Sequence, residues 1–129
     1  MWPLTVIRPA DGREVAGAYL QYMKGTGPFV FALSRQNLPY LEGSCAEAVA
    51  KGAYVLKDCE GKPDVILVGT GSEVSLCMEA AKKLEKKVRV VSMPCMELFE
   101  KQSEEYKKSV FTEGTPILGV EAGAVHGNC

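Results

Sequence analysis

Arg35 is the side chain in this sequence best placed to act on a ligand, and the chemistry it offers is the binding of an anion. It leaves the nearly all-apolar run FVFALS (Phe29 to Ser34) and is followed by Gln36 and Asn37. A guanidinium presents paired planar donors that match phosphate oxygens, and the two amides add further donors. Taken alone, a strand-end arginine is more often a salt-bridge partner, so the residues themselves favour that role over phosphate binding.

The other candidates are weaker. GTGSEV (Gly69 to Val74) lies between a strand-like run and a helical one, where backbone N–H groups and the helix dipole hold phosphates. It lacks the third glycine of the dinucleotide fingerprint and the lysine of the P-loop. Thr70 and Glu73 are spaced as a capping box, which favours plain helix initiation. His126, the single histidine, has no metal-ligand or triad partner at a usable spacing, and a surface role is favoured. Glu100, Glu104 and Glu105 with Lys101, Lys107 and Lys108 fit helix-surface charge pairs better than an acid–base carboxylate pair. No catalytic constellation and no metal or cofactor ligand set emerges.

These residues need elements to hold them. LTVI (Leu4 to Ile7) reads as a buried strand ending at Arg8 and Pro9. Asp11 then predicts an N-cap, with Glu14 three residues on as its box partner. Val15, Ala18, Tyr19, Tyr22 and Met23 share one face of the helix, and Lys24 and Gly25 close it. FVFALS predicts a strand covered on both faces, completing a β-α-β unit with Arg35 at the strand's carboxyl end, the edge at which open α/β sheets bind ligands. NLPYLEG (Asn37 to Gly43) reads as a connection between modules. Ser44 and Glu47 suggest a capped short helix ending near Gly52, before a strand at Ala53 to Leu56.

The second half repeats the α/β rhythm: a strand at 64–69, a helix at about 72–84, a strand at 88–93, a polar helical region, and the strand ILGVEA. Val74, Cys77, Met78, Ala81 and Leu84 make the helix's buried stripe. Lys82, Lys83, Glu85 and Lys86 belong to a solvated face. The region from Met96 to Val110 is broken near Ser103, as one interrupted helix or two short ones. The fold class is therefore α/β, with three-layer parallel-sheet units in two parts joined by a linker, which become two incomplete α/β domains only on the resemblance carried by the motifs below.

Composition narrows the function classes. The chain has 129 residues, 47% hydrophobic and 24% charged, ordinary for one globular domain. A net charge of -1 gives no general attraction to nucleic acid or anionic membrane, so an anion site here must be local. The five cysteines form no CxxC pair and read as reduced thiols. Cys77 reads as a small buried hydrophobe, not a nucleophile. No apolar run is long enough to span a membrane, and Arg8 and Asp11 come too early for a signal peptide.

VIRPADGREV, then ALSRQNLPYLEG, KGAYVL, VILVGTGSEVSLCMEAAKKL, VRVVSMP, FEKQSEEYKKSV and VEAG resemble the transketolases, in the family's order and at about its spacing. The resemblance covers essentially the whole chain. It implies that residues 1–36 end a pyrimidine-binding domain, 37–62 form an inter-domain linker with a short helix and strand, and 63–129 begin the C-terminal domain. It assigns the arginine of LSRQ, Arg35, to the phosphate end of sugar-phosphate substrates. It further implies transfer of a two-carbon ketol unit by thiamine diphosphate with Mg²⁺ in a complete homodimeric enzyme. The family's GDG motif, activating glutamate and channel histidines are not in this sequence, so the stretch by itself is expected to be inactive and to bind no cofactor. A dihydroxyacetone synthase-like sister enzyme and a non-catalytic α/β interaction module are the alternatives. The expected partners are sugar phosphates, the remaining transketolase domains and the homodimer partner, with no nucleic acid and no membrane. The expected location is cytoplasmic, a plastid remaining open because a transit peptide would precede this stretch.

Overall fold

The computed structural model describes residues 4–25, 27–33 and 40–120. They form two units. The first is a β-α-β motif: β1 (Thr5–Ile7), α1 (Gly12–Lys24) and β2 (Phe29–Phe31), with β1 and β2 parallel. Asp11 caps α1 as its sequence predicts, its carboxylate accepting from the Glu14 N–H at 3.0 Å, and Gly25 ends the helix.

The second unit is a four-stranded sheet in the order β3-β5-β4-β6. A 3-10 helix (Glu47–Lys51) leads to β3 (Tyr54–Lys57), followed by β4 (Val65–Gly69), α2 (Glu73–Lys83) and β5 (Val88–Ser92). Two short helices, α3 (Met96–Glu100) and α4 (Glu104–Val110), precede β6 (Ile117–Val120). The break near Ser103 is thus a true helix boundary, where the Ser103 hydroxyl accepts from the Tyr106 N–H at 3.2 Å.

Side-chain alternation along the strands builds three layers. Leu56, Leu67 and Val90 point to one face, where they pack with Val74 and Cys77 of α2. Ile66, Val91 and Ala53 point to the other, against Phe99 of α3 and Val110 of α4. Arg89, on that second face, donates to the Ser109 and Val110 carbonyls at the end of α4 and pairs with Asp58 at 2.9 Å. A third cluster, Ile7, Ala18, Val49 and Cys95, joins the two units.

The expected α/β class holds, with β4, β5 and β6 parallel and β3 added antiparallel to β5 at the edge of the second sheet. Several local expectations give way to tertiary packing. No box forms at Ser44: the Cys45 thiol donates to the Glu47 carboxylate, and the Ser44 hydroxyl accepts from Arg13 at 3.3 Å. β2 is covered by α1 through Tyr19 on Phe31 and Tyr22 on Phe29, edge to face, but Val30 and Leu33 remain exposed. The deepest face of α1 is Glu14, Gly17 and Ala18, whereas Met23 of the expected stripe is 70% exposed. Cys77 is buried as expected, at 1% exposure, and burial followed by the nearby Glu73 charge pushes its thiol up to about 11.

Two predictions follow from this packing. A Cβ on Gly17 would sit 2.2 Å from the Ala46 carbonyl oxygen and 2.6 Å from Val49 Cγ2. Gly17→Ala should therefore cost about 1–3 kcal/mol by overpacking, more than the roughly 0.5–1 kcal/mol that alanine gains in a helix. Urea unfolding of a longer chain carrying this stretch measures it, and an unchanged or higher midpoint would refute the close approach. The purified 129-residue chain should self-associate and unfold with little cooperativity, because Leu4, Val30, Ile117 and Leu118 leave apolar surface on both sheets open to water. A sharp calorimetric transition from a monodisperse monomer is the contrary result.

Candidate functional site at the carboxyl edges of the two sheets

The carboxyl ends of β1, β4 and β5 meet. Past β1, the Arg8 N–H donates to the Pro94 carbonyl at 2.8 Å, and the Arg8 carbonyl accepts from the Gly71 N–H at 3.1 Å. The Met93 N–H donates to the Gly69 carbonyl at 2.9 Å, tying the exits of β4 and β5 together. The edge of β1 is closed as well, since the Val6 N–H donates to a Glu97 carboxylate oxygen at 2.6 Å.

At the centre lies Glu14, at 0% exposure. One carboxylate oxygen accepts from the Ala10 N–H at 2.9 Å. The other accepts from two hydroxyls, Tyr54 and Ser92, each at 2.6 Å. These hydroxyls are neighbours because β3 runs antiparallel to β5 and pairs Tyr54 directly with Ser92. Burial pushes the Glu14 carboxyl above its ordinary range, with the Asp11 charge adding to this, while the Ser92, Tyr54 and Ala10 hydrogen bonds pull it back. The Tyr54 phenol is also pushed up, first by burial and then by the Glu14 charge.

Asp11 extends the arrangement to the connection between the units. Its second carboxylate oxygen accepts from the Leu41 N–H at 2.9 Å. Arg13 reaches the same segment, its guanidinium 5.2 Å from the centre of the Tyr40 ring.

Reading Glu14 from sequence as the second half of a capping box misses this site. The spacing correctly finds the helix start, but the Glu14 side chain turns away from the Asp11 N–H into the space between the units. A glutamate beside buried Gly17 and Ala18 on one helical face was the available signal. The GTGSEV turn starts α2 without its expected box: Ser72 is the cap residue, and the Glu73 and Val74 N–H groups donate to the Thr70 and Gly71 carbonyls, both at 3.3 Å. With the Gly71 N–H given to Arg8, these three donors are committed within the chain, and a buried Glu73 stands beside them. This disfavours phosphate at the turn, the marker of the interaction-module reading. Arg35 and His126 lie outside the described residues.

Among the described residues no three His, Cys, Asp or Glu side chains converge as metal ligands, and the glycine turn has spent the donors named above. Likewise, no helix among them is long and apolar enough to cross a membrane.

Comparison with known proteins agrees with the sequence resemblance. The family model described as the transketolase-like TK C-terminal domain matches residues 52–128, more than half of the chain. A transketolase of Nostoc sp. is 50% identical over 131 residues, covering 96% of this chain and 20% of that protein. The transketolase structure from Leishmania mexicana superposes with a TM-score of 0.93 at 44% identity, over 96% of this chain and 19% of that one. The Pichia stipitis transketolase solved with sedoheptulose-7-phosphate gives 0.91 at 50% identity, over 96% of this chain and 19% of that one. The chain thus spans about a fifth of the length of the relatives it matches. A domain-length family match, joined to superposition of both units on solved relatives, establishes that this chain belongs to the transketolase family.

Proposed function

We propose that this chain is a stretch of a transketolase, which transfers a two-carbon ketol unit between sugar phosphates, and that its own direct contribution to substrate is Arg35. The carrying observation is 50% identity to a transketolase across 96% of the chain. In support, a relative at the same identity has been solved with a seven-carbon sugar phosphate bound. Arg35 follows β2 in sequence, and β2 lies parallel to β1. In open α/β sheets the carboxyl end of such a strand is where ligands gather.

A cation gripping the phosphate tail holds the far end of the sugar while its carbonyl reacts elsewhere. That binding energy goes into positioning the reacting carbon, so Arg35 acts as neither acid, base nor nucleophile. Thiamine diphosphate, held with Mg²⁺ by parts of the enzyme outside this stretch, supplies the carbanion stabilisation. Residues 1–36 then end the pyrimidine-binding domain, 37–62 connect, and 63–129 open the C-terminal domain. Homodimerisation and a cytoplasmic setting, with a plastid one open, belong to the same proposal.

The test is Arg35→Gln in the full-length enzyme, assayed with a phosphorylated and an unphosphorylated ketose. Losing one or two charge-assisted hydrogen bonds should lower kcat/KM for the sugar phosphate by about 10- to 100-fold. Use of the unphosphorylated ketose should change by less than about threefold, since it never makes the contact. Equal losses with both substrates would remove the assignment.

A further inference from the structure

The four-stranded sheet has the layout that makes a ligand crevice in open α/β folds. β4 lies between β5 and β6, both parallel to it, so the chain crosses first to one side of β4 and then to the other. Ligands of such sheets bind outside the carboxyl ends of the strands at that switch point, commonly beside a glycine turn that opens a helix. Here the turn is Gly69 to Ser72 and the helix is α2. What fills the crevice is the polypeptide itself, from Arg8 to Glu14.

We propose that this edge is a carboxylate-binding site whose resident ligand is the Glu14 side chain, so that the second unit takes the first, and not a free metabolite, into its crevice. The site is built as a receptor for a carboxylate end group. Its three donors come from separate places: the Tyr54 hydroxyl from β3, the Ser92 hydroxyl from β5, and the Ala10 N–H from the segment entering α1. Tyr54 is pre-set to donate, because its oxygen already accepts from the Cys45 N–H at 3.3 Å. Ser92 is fully buried, and the Ala10 side chain and Leu41 help to seal the cluster. The neighbouring backbone of the same segment, through the Arg8 carbonyl, takes the Gly71 N–H that a phosphate would need.

The inference concerns the seam between the units and does not depend on the role of Arg35. Its test uses a full-length transketolase carrying this stretch. Glu14→Ala leaves the three donors facing the space the side chain vacates, which costs stability, and a small free carboxylate should refill it. Sodium acetate should raise the thermal midpoint of Glu14→Ala with a saturable dose dependence, by mass action on the folded state. Sodium chloride at equal ionic strength should not, and wild type and Glu14→Gln should ignore acetate. An equal response of wild type and Glu14→Ala to acetate, or equal effects of the two salts, would overturn the proposal.

Should Glu14→Ala fail to fold, the pH dependence of the midpoint in wild type and Glu14→Gln decides the matter. The titratable groups facing Glu14 among the described residues are Asp11 at its own helix cap and Tyr54 on β3; β5 presents the neutral Ser92. Burial raises the folded-state value above the ordinary 4.5, so the folded protein holds this proton more tightly than the unfolded chain does. The stability this adds to wild type relative to Glu14→Gln is fully present below 4.5 and is lost as pH rises through the raised value. Parallel pH profiles for the two proteins would mean that Glu14 does not sit in the crevice as a carboxyl ligand. Both arms read stability and not turnover, so they stand or fall apart from the ketol-transfer reading.

Discussion

A carboxyl group taken wholly out of water, with its hydrogen bonds reaching across two units, is the constraint on which this structure depends. Desolvating a carboxylate costs several kcal/mol. Each charge-assisted hydrogen bond returns about 1.5–3 kcal/mol, so the three at Glu14 are of the size needed to offset that cost and leave little surplus. The consequence is an asymmetry. With all donors in place the group is nearly neutral in energy, and with any one displaced it becomes a large penalty. Sliding or rotating the first unit against the second would break the Tyr54 and Ser92 contacts together, because those two residues are locked side by side by the β3–β5 pairing.

This accounts for an antiparallel strand in an otherwise parallel sheet. A parallel β3 would not bring the start of that strand beside the end of β5, and the two hydroxyls would not converge. The same region contains Gly52, at φ +81, where a Cβ would fall 2.2 Å from the Phe99 N and 2.3 Å from the Cys95 carbonyl oxygen. The chain therefore turns into β3 tightly against the start of α3, whose Glu97 closes the edge of β1. Seam, turn and edge closure are parts of one packing arrangement.

Much of the fold was legible because it rests on local pattern. The apolar runs VILVG and VRVVS, the Asp11 cap, the glycine stops and the break at Ser103 each act through neighbours a few residues away. What escaped rests on distant partners. Glu14 and Ser92 are 78 positions apart, and the small Gly17 and Ala18 one turn on mark a face that packs closely without naming the partners that draw a glutamate inward. The orientation of β3 depended on β5 in the same way. The Tyr19, Tyr22 and Met23 face shows the opposite limit: helical period reports what a face prefers to bury, not whether the described residues bury it. Arg35 stands out by its place after an apolar run, and its proposed role at phosphate rests on the family resemblance, because an arginine's type and position by themselves favour an ion pair.

Why a carboxylate should sit at this seam, where an apolar plug would fill the same volume, turns on direction. Replacing a buried polar cluster by well-packed hydrophobic groups is often neutral or stabilising, so strength of attachment alone does not explain Glu14. Apolar contact is tolerant of rotation, since its energy follows area and not angle. Hydrogen bonds weaken steeply when misaligned, so three converging on one carboxyl group define a single relative placement. For two units whose strands offer their carboxyl edges to each other, that placement decides which crevice stays open to a ligand and which is closed. At the edge of β4 and β5 it is closed from within.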